Sequence, residues 1–316
     1  MLNRRNFIAL SSGTLGMGGL ALRSVAKSAE EASPIFLGYS QKQLDRVFDQ
    51  AAWTPRMKEL EEELASASAA VRRQTPPRTE RYGESEAEVL DIFGPPGARN
   101  APVMVFIHGG AWIRSTKDDA SFPAPIFNGR GAIYIAVNYA SLASVRMPEM
   151  AEQCRRAIEW VIRNATNFGG NPQQLFLSGH SAGAHLSGCM LTTDWAARGL
   201  TVNPIRGALL LSGLYELHPV VLSSRRSYVH LTEDEVNALS PIRHLHRIKS
   251  PVTIISADED SPEFQRQSKV FAAALDAMGL LATQEVLFNA NHFEELQQLG
   301  QPGSVPARYA LQMMQL

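Results

Sequence analysis

Cysteine, excess charge of either sign and long apolar runs are all scarce in this sequence of 316 residues. The only two cysteines, Cys154 and Cys189, are too few for a disulfide framework and belong to no Cys/His cluster with zinc-site spacing, so we expect no structural metal. Thirty basic residues against 31 acidic ones, without a basic block beyond Arg-Arg pairs, argue against nucleic acid as a partner. A composition with 45% hydrophobic and 19% charged residues excludes a disordered chain and a multi-pass membrane protein.

The first 26 residues have the pattern of an export signal. Asn3-Arg4-Arg5-Asn6-Phe7-Ile8 leads into an uncharged stretch, residues 6–22, whose four glycines and short length disfavour a spanning helix. Small residues follow at Ser24-Val25-Ala26, where a signal peptidase would cut. We therefore predict a twin-arginine signal and a periplasmic protein without a stable membrane span, and a cytoplasmic protein with a frayed tail is the alternative. Cleavage would leave 27 basic and 31 acidic residues, a net charge of about −4.

Segments with helical and strand-like patterns alternate after residue 26. This alternation predicts one α/β domain over residues 27–316, with a mostly parallel sheet flanked by helices and an N-terminal helical segment lying over it. Residues 212–250 are too long for a bare loop, and we expect a small cap insertion at about 213–247. Strand patterns occur at residues 87–93, 102–107, 132–137, 174–178, 206–211, 252–256 and 282–288, and helical patterns at 43–73, 148–168, 262–278 and from Phe293 onward.

The pentapeptide Gly179-His180-Ser181-Ala182-Gly183 stands between a predicted strand and an Ala/Leu-rich helical pattern. A Gly-x-Ser-x-Gly sequence in this context predicts a sharp strand-to-helix turn that presents the serine hydroxyl above the sheet. Ser181 is therefore the candidate nucleophile. The backbone N–H of Ala182, at the start of the helix, is a candidate donor to a developing oxyanion.

A second motif, His108-Gly109-Gly110-Ala111-Trp112, follows the strand pattern at 102–107. Hydrolases with a nucleophile turn place the other half of the oxyanion hole here, and glycines leave their N–H groups free to face the substrate. We predict Gly109 and Gly110 as oxyanion-hole donors. His108 is expected to brace the loop, and Trp112 is either a pocket wall or an ordinary core aromatic.

A serine nucleophile needs a base and an orienting carboxylate, which follow it along the chain in this type of fold. Three acids follow the strand pattern at 252–256, namely Asp258, Glu259 and Asp260, and from the residues alone each is a candidate. The only histidine beyond them is His292, which is therefore the predicted base. We interpret five other histidines as structural, surface or pocket-lining residues: His185, one turn beyond the serine, and His218, His230, His244 and His246 in the expected cap.

Together these stretches resemble the kynurenine formamidase (arylformamidase) group of α/β-hydrolases, which is close to the hormone-sensitive-lipase-like esterases. The resemblance implies an α/β-hydrolase fold, Asp260 as the acid of the triad, and catalysis without a cofactor. It runs through residues 39–300 and depends on His108-Gly109-Gly110-x-Trp112, on Gly179 to Leu186, on Ser212-Gly213-Leu214-Tyr215-Glu216-Leu217, on Asp260 to Phe264 with Gln267-Ser268, and on His292-Phe293.

The combined expectation is a serine hydrolase that cleaves a small, partly aromatic carboxylic ester or amide through an acyl-enzyme. Substrate walls are expected at Trp112, Tyr215 and Phe293, with Tyr228 as a further candidate. Arylformamidase activity is the alternative substrate assignment, and a non-catalytic ligand-binding protein is the alternative class. Assembly as a homodimer stays open. A local positive charge for an anionic substrate is available at Arg114, Arg225 and Arg226.

Overall fold

Eight strands form one sheet in the computed structural model, which describes residues 33–200 and 202–316. The sheet order is β1-β2-β4-β3-β5-β6-β7-β8, in which β1, β2 and β4 pair antiparallel and all other neighbours pair parallel. The predicted export signal lies outside the described residues. The strands are β1 (Arg78–Arg81), β2 (Val89–Phe93), β3 (Ala101–Ile107), β4 (Ile133–Val137), β5 (Gly170–His180), β6 (Ile205–Leu211), β7 (Val252–Ala257) and β8 (Leu281–Leu287).

Ten α-helices accompany the strands in the described part of the chain. They are α1 (Gln41–Val47), α2 (Met57–Gln74), α3 (Ala124–Asn128), α4 (Met147–Asn164), α5 (Ala182–Leu191), α6 (His218–Leu222), α7 (Glu233–Ala238), α8 (Pro262–Ala277), α9 (His292–Gln298) and α10 (Val305–Met313). None of these helices has the length and apolar character needed to cross a bilayer.

The predicted mostly parallel sheet flanked by helices is confirmed, and the seven predicted strands correspond to β2 through β8. The sequence patterns missed β1, α3 and α6, which are four, five and five residues long. Elements of this length carry too few residues for a hydrophobic period to emerge. Although β2 and β3 are consecutive along the chain, β4 lies between them in the sheet.

The sheet has a core on each face. Because side chains alternate along a strand, Val103, Val105 and Ile107 of β3 belong to one buried cluster, and Met104 and Phe106 belong to the other. All five side chains are at most 1% exposed. The central strands are therefore buried on both sides, as is typical of a parallel sheet covered by helices.

The N-terminal segment begins with two helices separated by an irregular turn. Helix α1 ends at Val47, a short 3-10 helix covers Gln50–Ala52, and α2 starts at Met57, after an interruption at Trp53-Thr54-Pro55. Leu44 and Val47 pack into the main core. The N-terminal segment therefore packs against the main core.

The segment expected to form a cap contains only short helices. These are α6, α7 and two 3-10 helices at Ser224–Ser227 and Pro241–Arg247. Thr232 caps α7, accepting a hydrogen bond from the N–H of Glu235 at 3.2 Å.

Candidate active site

Ser181 lies at the sharp turn between β5 and α5. Its backbone has φ 55° and ψ −120°, which is an unfavourable conformation for a non-glycine residue. The turn is held by a hydrogen bond of 2.9 Å from the N–H of Ser181 to the carbonyl of Leu211 on the neighbouring strand. The sequence context predicted this geometry, and it places the hydroxyl-bearing residue at the N-terminus of a buried helix.

Gly183 is the position of the pentapeptide that most clearly requires glycine. A Cβ there would lie 2.0 Å from the carbonyl oxygen of Ile107 and 2.4 Å from that of His108. The backbone of the first turn of α5 therefore packs directly on the loop that follows β3. This close approach brings the serine turn and the His108-Gly109-Gly110 loop together.

His292 and Asp260 form a buried pair. The Nδ1 atom of His292 lies 2.7 Å from Oδ2 of Asp260, and the two residues are 2% and 1% exposed. The second carboxylate oxygen accepts hydrogen bonds from the N–H of Ser261 at 2.6 Å and from Nε2 of Gln50 at 3.1 Å. Asp258 and Glu259, the other sequence candidates, are exposed. Of the three acids, Asp260 alone contacts the histidine.

His180 supports the loop that carries His292. Its Nε2 donates a hydrogen bond of 2.8 Å to the backbone carbonyl of His292, and the two rings lie 4.4 Å apart. Burial, and secondarily the charge of His292, lower the pKa of His180 well below 6.5. His180 is therefore a neutral imidazole at neutral pH, with the proton on the nitrogen that makes this bond.

The His108 loop takes a strained path. Gly110, Ala111 and Trp112 all have positive φ, at 101°, 52° and 64°. His108 stacks on Tyr139 at 4.2 Å, and the Tyr139 hydroxyl donates to the His108 carbonyl at 2.6 Å. Burial lowers the pKa of His108 to about 4. These contacts agree with a bracing role for His108.

Of the three predicted oxyanion donors, Gly109 and Ala182 lie next to the serine, and Gly110 lines the same cavity. A Cβ on Gly109 would be 3.3 Å from the Cβ of Ser181, so this loop and the serine turn are in contact. Among the described residues, no acceptor pairs with the backbone N–H of Gly109, Gly110 or Ala182. Unpaired N–H groups at such a site are available to a ligand.

Ser181 and His292 face one cavity of about 370 Å³, which we call the central cavity. Gly109, Gly110 and Phe293 also line it. Helix α2, which the sequence did not connect with the site, contributes Lys58, Glu61, Glu62, Leu64 and Ala65 to the lining. Apolar side chains from other elements complete it, namely Phe106, Phe122 and Leu296.

Trp112 and Tyr215, expected as substrate walls, are buried away from the central cavity. The positive φ of Trp112 turns its indole inward, where Nε1 donates to Nδ1 of His185 at 3.1 Å. Tyr215 stacks on Phe271 at 4.0 Å. The structure therefore corrects these two expectations, since both side chains are core residues and only Phe293 of the expected walls reaches the cavity.

His185 is a structural histidine, as its place on the helix predicts. It accepts from Trp112, and its Nε2 donates to the carbonyl of Leu239 at 2.8 Å, so both ring nitrogens are used. Burial lowers its pKa to about 4. A neutral imidazole with both nitrogens occupied is unavailable for proton transfer.

Gln50, which the sequence did not predict, and Arg225, which it indicated only as a local positive charge, also line the central cavity. They reach it from the N-terminal segment and from the expected cap, and they are 8% and 6% exposed. No local motif marks Gln50, and Arg225 was only one of three arginines noted for their charge. Arg226 is exposed and does not line the cavity.

Glu295 is buried beneath the site, one turn after His292 on α9. Its Oε2 accepts a short hydrogen bond from the Ser212 hydroxyl, and its Oε1 has no partner among the described residues. Burial, assisted by the charge of Asp260, raises the pKa of Glu295 well above 4.5. No group of three or more His, Cys, Asp or Glu side chains with metal-binding geometry occurs in residues 33–200 and 202–316.

Comparison with known proteins identifies the family. The BD-FAE family model matches residues 90–200, and the Carboxylesterase family model matches residues 153–259. A kynurenine formamidase from Danio rerio is 32% identical over 288 residues, covering 87% of this chain and 97% of its own length. The kynurenine formamidase of Salmo salar is 31% identical, covering 82% and 92%.

Solved structures agree on the fold. A protein from Silicibacter sp. TM1040, provisionally described as a thioesterase, has a TM-score of 0.74 at 24% identity, covering 84% of this chain and 97% of its own. A thermostable carboxylesterase cloned from a metagenomic library has a TM-score of 0.64 at 17% identity, covering 89% and 97%. The chain is a hydrolase of the esterase and arylformamidase type, and it belongs to the kynurenine formamidase family of α/β-hydrolases.

Proposed function

We propose that this protein hydrolyses a carboxylic ester or amide of a small, partly aromatic substrate through a triad of Ser181, Asp260 and His292. The observation that carries the proposal is the buried hydrogen bond between His292 and Asp260, on the same cavity as a serine in a nucleophile turn. The carboxylate would hold the Nδ1–H tautomer and leave Nε2 free to accept a proton.

In the first step, His292 takes the proton of the Ser181 hydroxyl as the serine oxygen attacks the carbonyl carbon. The N–H groups of Gly109, Gly110 and Ala182 stabilise the tetrahedral oxyanion, and Asp260 stabilises the imidazolium. His292 then donates the proton to the leaving oxygen or nitrogen. Water, activated by the same histidine, releases the acid from the acyl-enzyme.

Arylformamidase activity on an N-formylated aromatic amine is the second candidate. It is favoured by the two kynurenine formamidases that match most of this chain, whereas the esterases share less of its sequence or only its fold. A formyl group is the smallest acyl group, so a dedicated formamidase is expected to reject larger acyl chains.

Hydrolysis rates with phenyl acetate, phenyl butyrate and N-formylkynurenine separate the two candidates. Efficient cleavage of phenyl butyrate without formamide turnover would establish the esterase. A steep fall in kcat/KM from acetate to butyrate, together with fast formamide cleavage, would replace it by the formamidase. Absence of a covalent fluorophosphonate adduct on Ser181 would reject the serine mechanism for both and favour a ligand-binding role.

A further inference from the structure

Arg225 is a buried cation without a carboxylate partner among the described residues. Its guanidinium contacts the backbone carbonyl of Phe48 through Nε at 3.1 Å and Nη2 at 2.8 Å. Removing a charged group from water without pairing it is costly, and this burial lowers the pKa of Arg225. The buried charge of Arg225 does not favour folding, and binding of a ligand would explain it.

The contacts of Arg225 occupy only one edge of the guanidinium. Arginine carries five N–H donors in a planar fork, and the carbonyl of Phe48 takes one from Nε and one from Nη2. Nη1 makes no hydrogen bond to any described residue, and the side chain lines the central cavity. The free edge, formed by Nη1 and the second N–H of Nη2, has the geometry that binds a carboxylate with two parallel hydrogen bonds.

Aromatic rings hold this guanidinium in place. Its central carbon lies 5.4 Å from the ring centre of Phe48, 5.7 Å from that of Phe264 and 5.8 Å from that of Trp112. These cation–π contacts and the Phe48 carbonyl fix the orientation of the fork before any ligand binds. Trp112 thus acts on the site by positioning Arg225 and not as a wall.

Arg225 lies where two cavities meet. It lines the central cavity with Ser181 and His292, and it also lines a neighbouring cavity of about 660 Å³. Apart from the histidines, the other charged side chains of the central cavity are partly or largely exposed, namely Lys58, Glu61, Glu62, Arg114 and Asp119. Arg225 is therefore the buried cation of this cavity.

We propose that the free edge of Arg225 binds a carboxylate group of the substrate, so that the preferred substrates are small aromatic esters or amides that carry a carboxylate away from the scissile bond. The inference rests on the proposed function for the cleavage step only. Binding of the carboxylate itself does not require turnover.

The first test measures binding without catalysis. The full chain carrying Ser181→Ala is titrated calorimetrically with 3-phenylpropanoate and with 3-phenylpropanamide, which have the same shape and differ in charge. Charge-assisted paired hydrogen bonds predict about 10- to 100-fold tighter binding of the carboxylate. Equal affinities would overturn the inference, whatever any variant does.

Variants of Arg225 test whether this residue causes the preference for the carboxylate ligand. In the same background, Arg225→Met should remove the preference, and Arg225→Lys should retain only part of it because an ammonium lacks the fork. Arg226→Met, at the exposed neighbouring residue, is the matched control and should retain the full preference. A preference that survives Arg225→Met in a folded protein, as judged by circular dichroism, would contradict the assignment.

Turnover distinguishes this inference from the proposed function. Wild-type kcat/KM is compared for 3-(4-acetoxyphenyl)propanoate and its carboxamide, with phenyl acetate as the uncharged reference. We expect a preference of about 10-fold or more for the carboxylate. Hydrolysis of all three without that preference would reject the carboxylate site and leave the hydrolase intact. Carboxylate-selective binding without hydrolysis of any would reject the proposed function and leave the site.

Discussion

Gln50 donates a hydrogen bond from Nε2 to Oδ1 of Asp260 at 3.1 Å, across 210 residues of sequence. Both side chains are buried, and the opposite carboxylate oxygen contacts His292. Two more side chains donate hydrogen bonds to backbone carbonyls of the same N-terminal segment: Arg225 to that of Phe48, and Ser261 to that of Val47. The segment before α2 is therefore part of the site, and it helps to orient the carboxylate that faces His292.

Gln50→Met should weaken catalysis without abolishing it. Loss of one hydrogen bond to a carboxylate predicts a decrease in kcat/KM of about 5- to 30-fold, because Asp260 keeps the N–H of Ser261 and the contact with His292. Steady-state kinetics with phenyl acetate measures the effect. Gln173→Met, at an exposed position, is the control, and equal rates for the two variants would show that Gln50 does not support Asp260.

The two aspartates after β7 should respond very differently to amidation. Asp260→Asn should lower kcat by about 10⁴-fold, because the neutral amide no longer holds the required imidazole tautomer. Asp258→Asn, at an exposed side chain two residues away, should change kcat by less than about tenfold. Ser181→Ala and His292→Ala should reduce turnover at least as far as Asp260→Asn. A reversed order of the two aspartate variants would refute the assignment.

Glu295 should make the stability of the fold depend on pH. Since burial raises its pKa well above 4.5, the folded protein binds a proton that the unfolded chain releases above that pH. The stabilising contribution of the protonated carboxyl is therefore complete below about pH 4.5 and is lost as the pH rises toward the pKa in the folded state, by at most roughly 1.4 kcal/mol per pH unit.

Urea denaturation at pH 5, 6, 7 and 8 tests this dependence. The free energy of unfolding of the wild type should fall relative to that of Glu295→Gln as the pH rises, because glutamine has no proton to release. Glu86→Gln, at an exposed carboxylate, should retain the wild-type profile. Parallel profiles for wild type and Glu295→Gln would mean that Glu295 is ionised in the folded protein.

We propose that residues 1–26 direct export of the folded protein to the periplasm, as the Arg4-Arg5 pair suggests. Replacing both arginines by lysine preserves the charge but removes the pair that the export receptor reads, so the variant should accumulate in the cytoplasm. Fractionation of cells expressing each form, with immunodetection, measures the distribution. Identical distributions would argue for a cytoplasmic protein.

The sequence by itself determined seven of the eight described strands, the longer helices around them and the turn at Ser181. These features depend on local regularities: apolar runs for strands buried on both faces, helical spacing in α4, and a pentapeptide that permits a tight strand-to-helix turn. Asp260 and His292 could be named because candidate acids and bases are few after β7. The choice among three adjacent acids already required resemblance to a family, since spacing alone did not separate them.

Tertiary structure alone decided what surrounds these residues. Gln50 and Arg225 reach the cavity through contacts that span 210 and 177 residues, and no local pattern encodes such contacts. The position of the Trp112 side chain was likewise not predictable from a local pattern. Its backbone has a positive φ, and its indole points away from the central cavity into the core. Local sequence limits the conformations of a short segment, whereas the walls of a cavity depend on how distant segments pack. The residues of the proposed triad were therefore predictable as residue types in order, but the cavity around them was not.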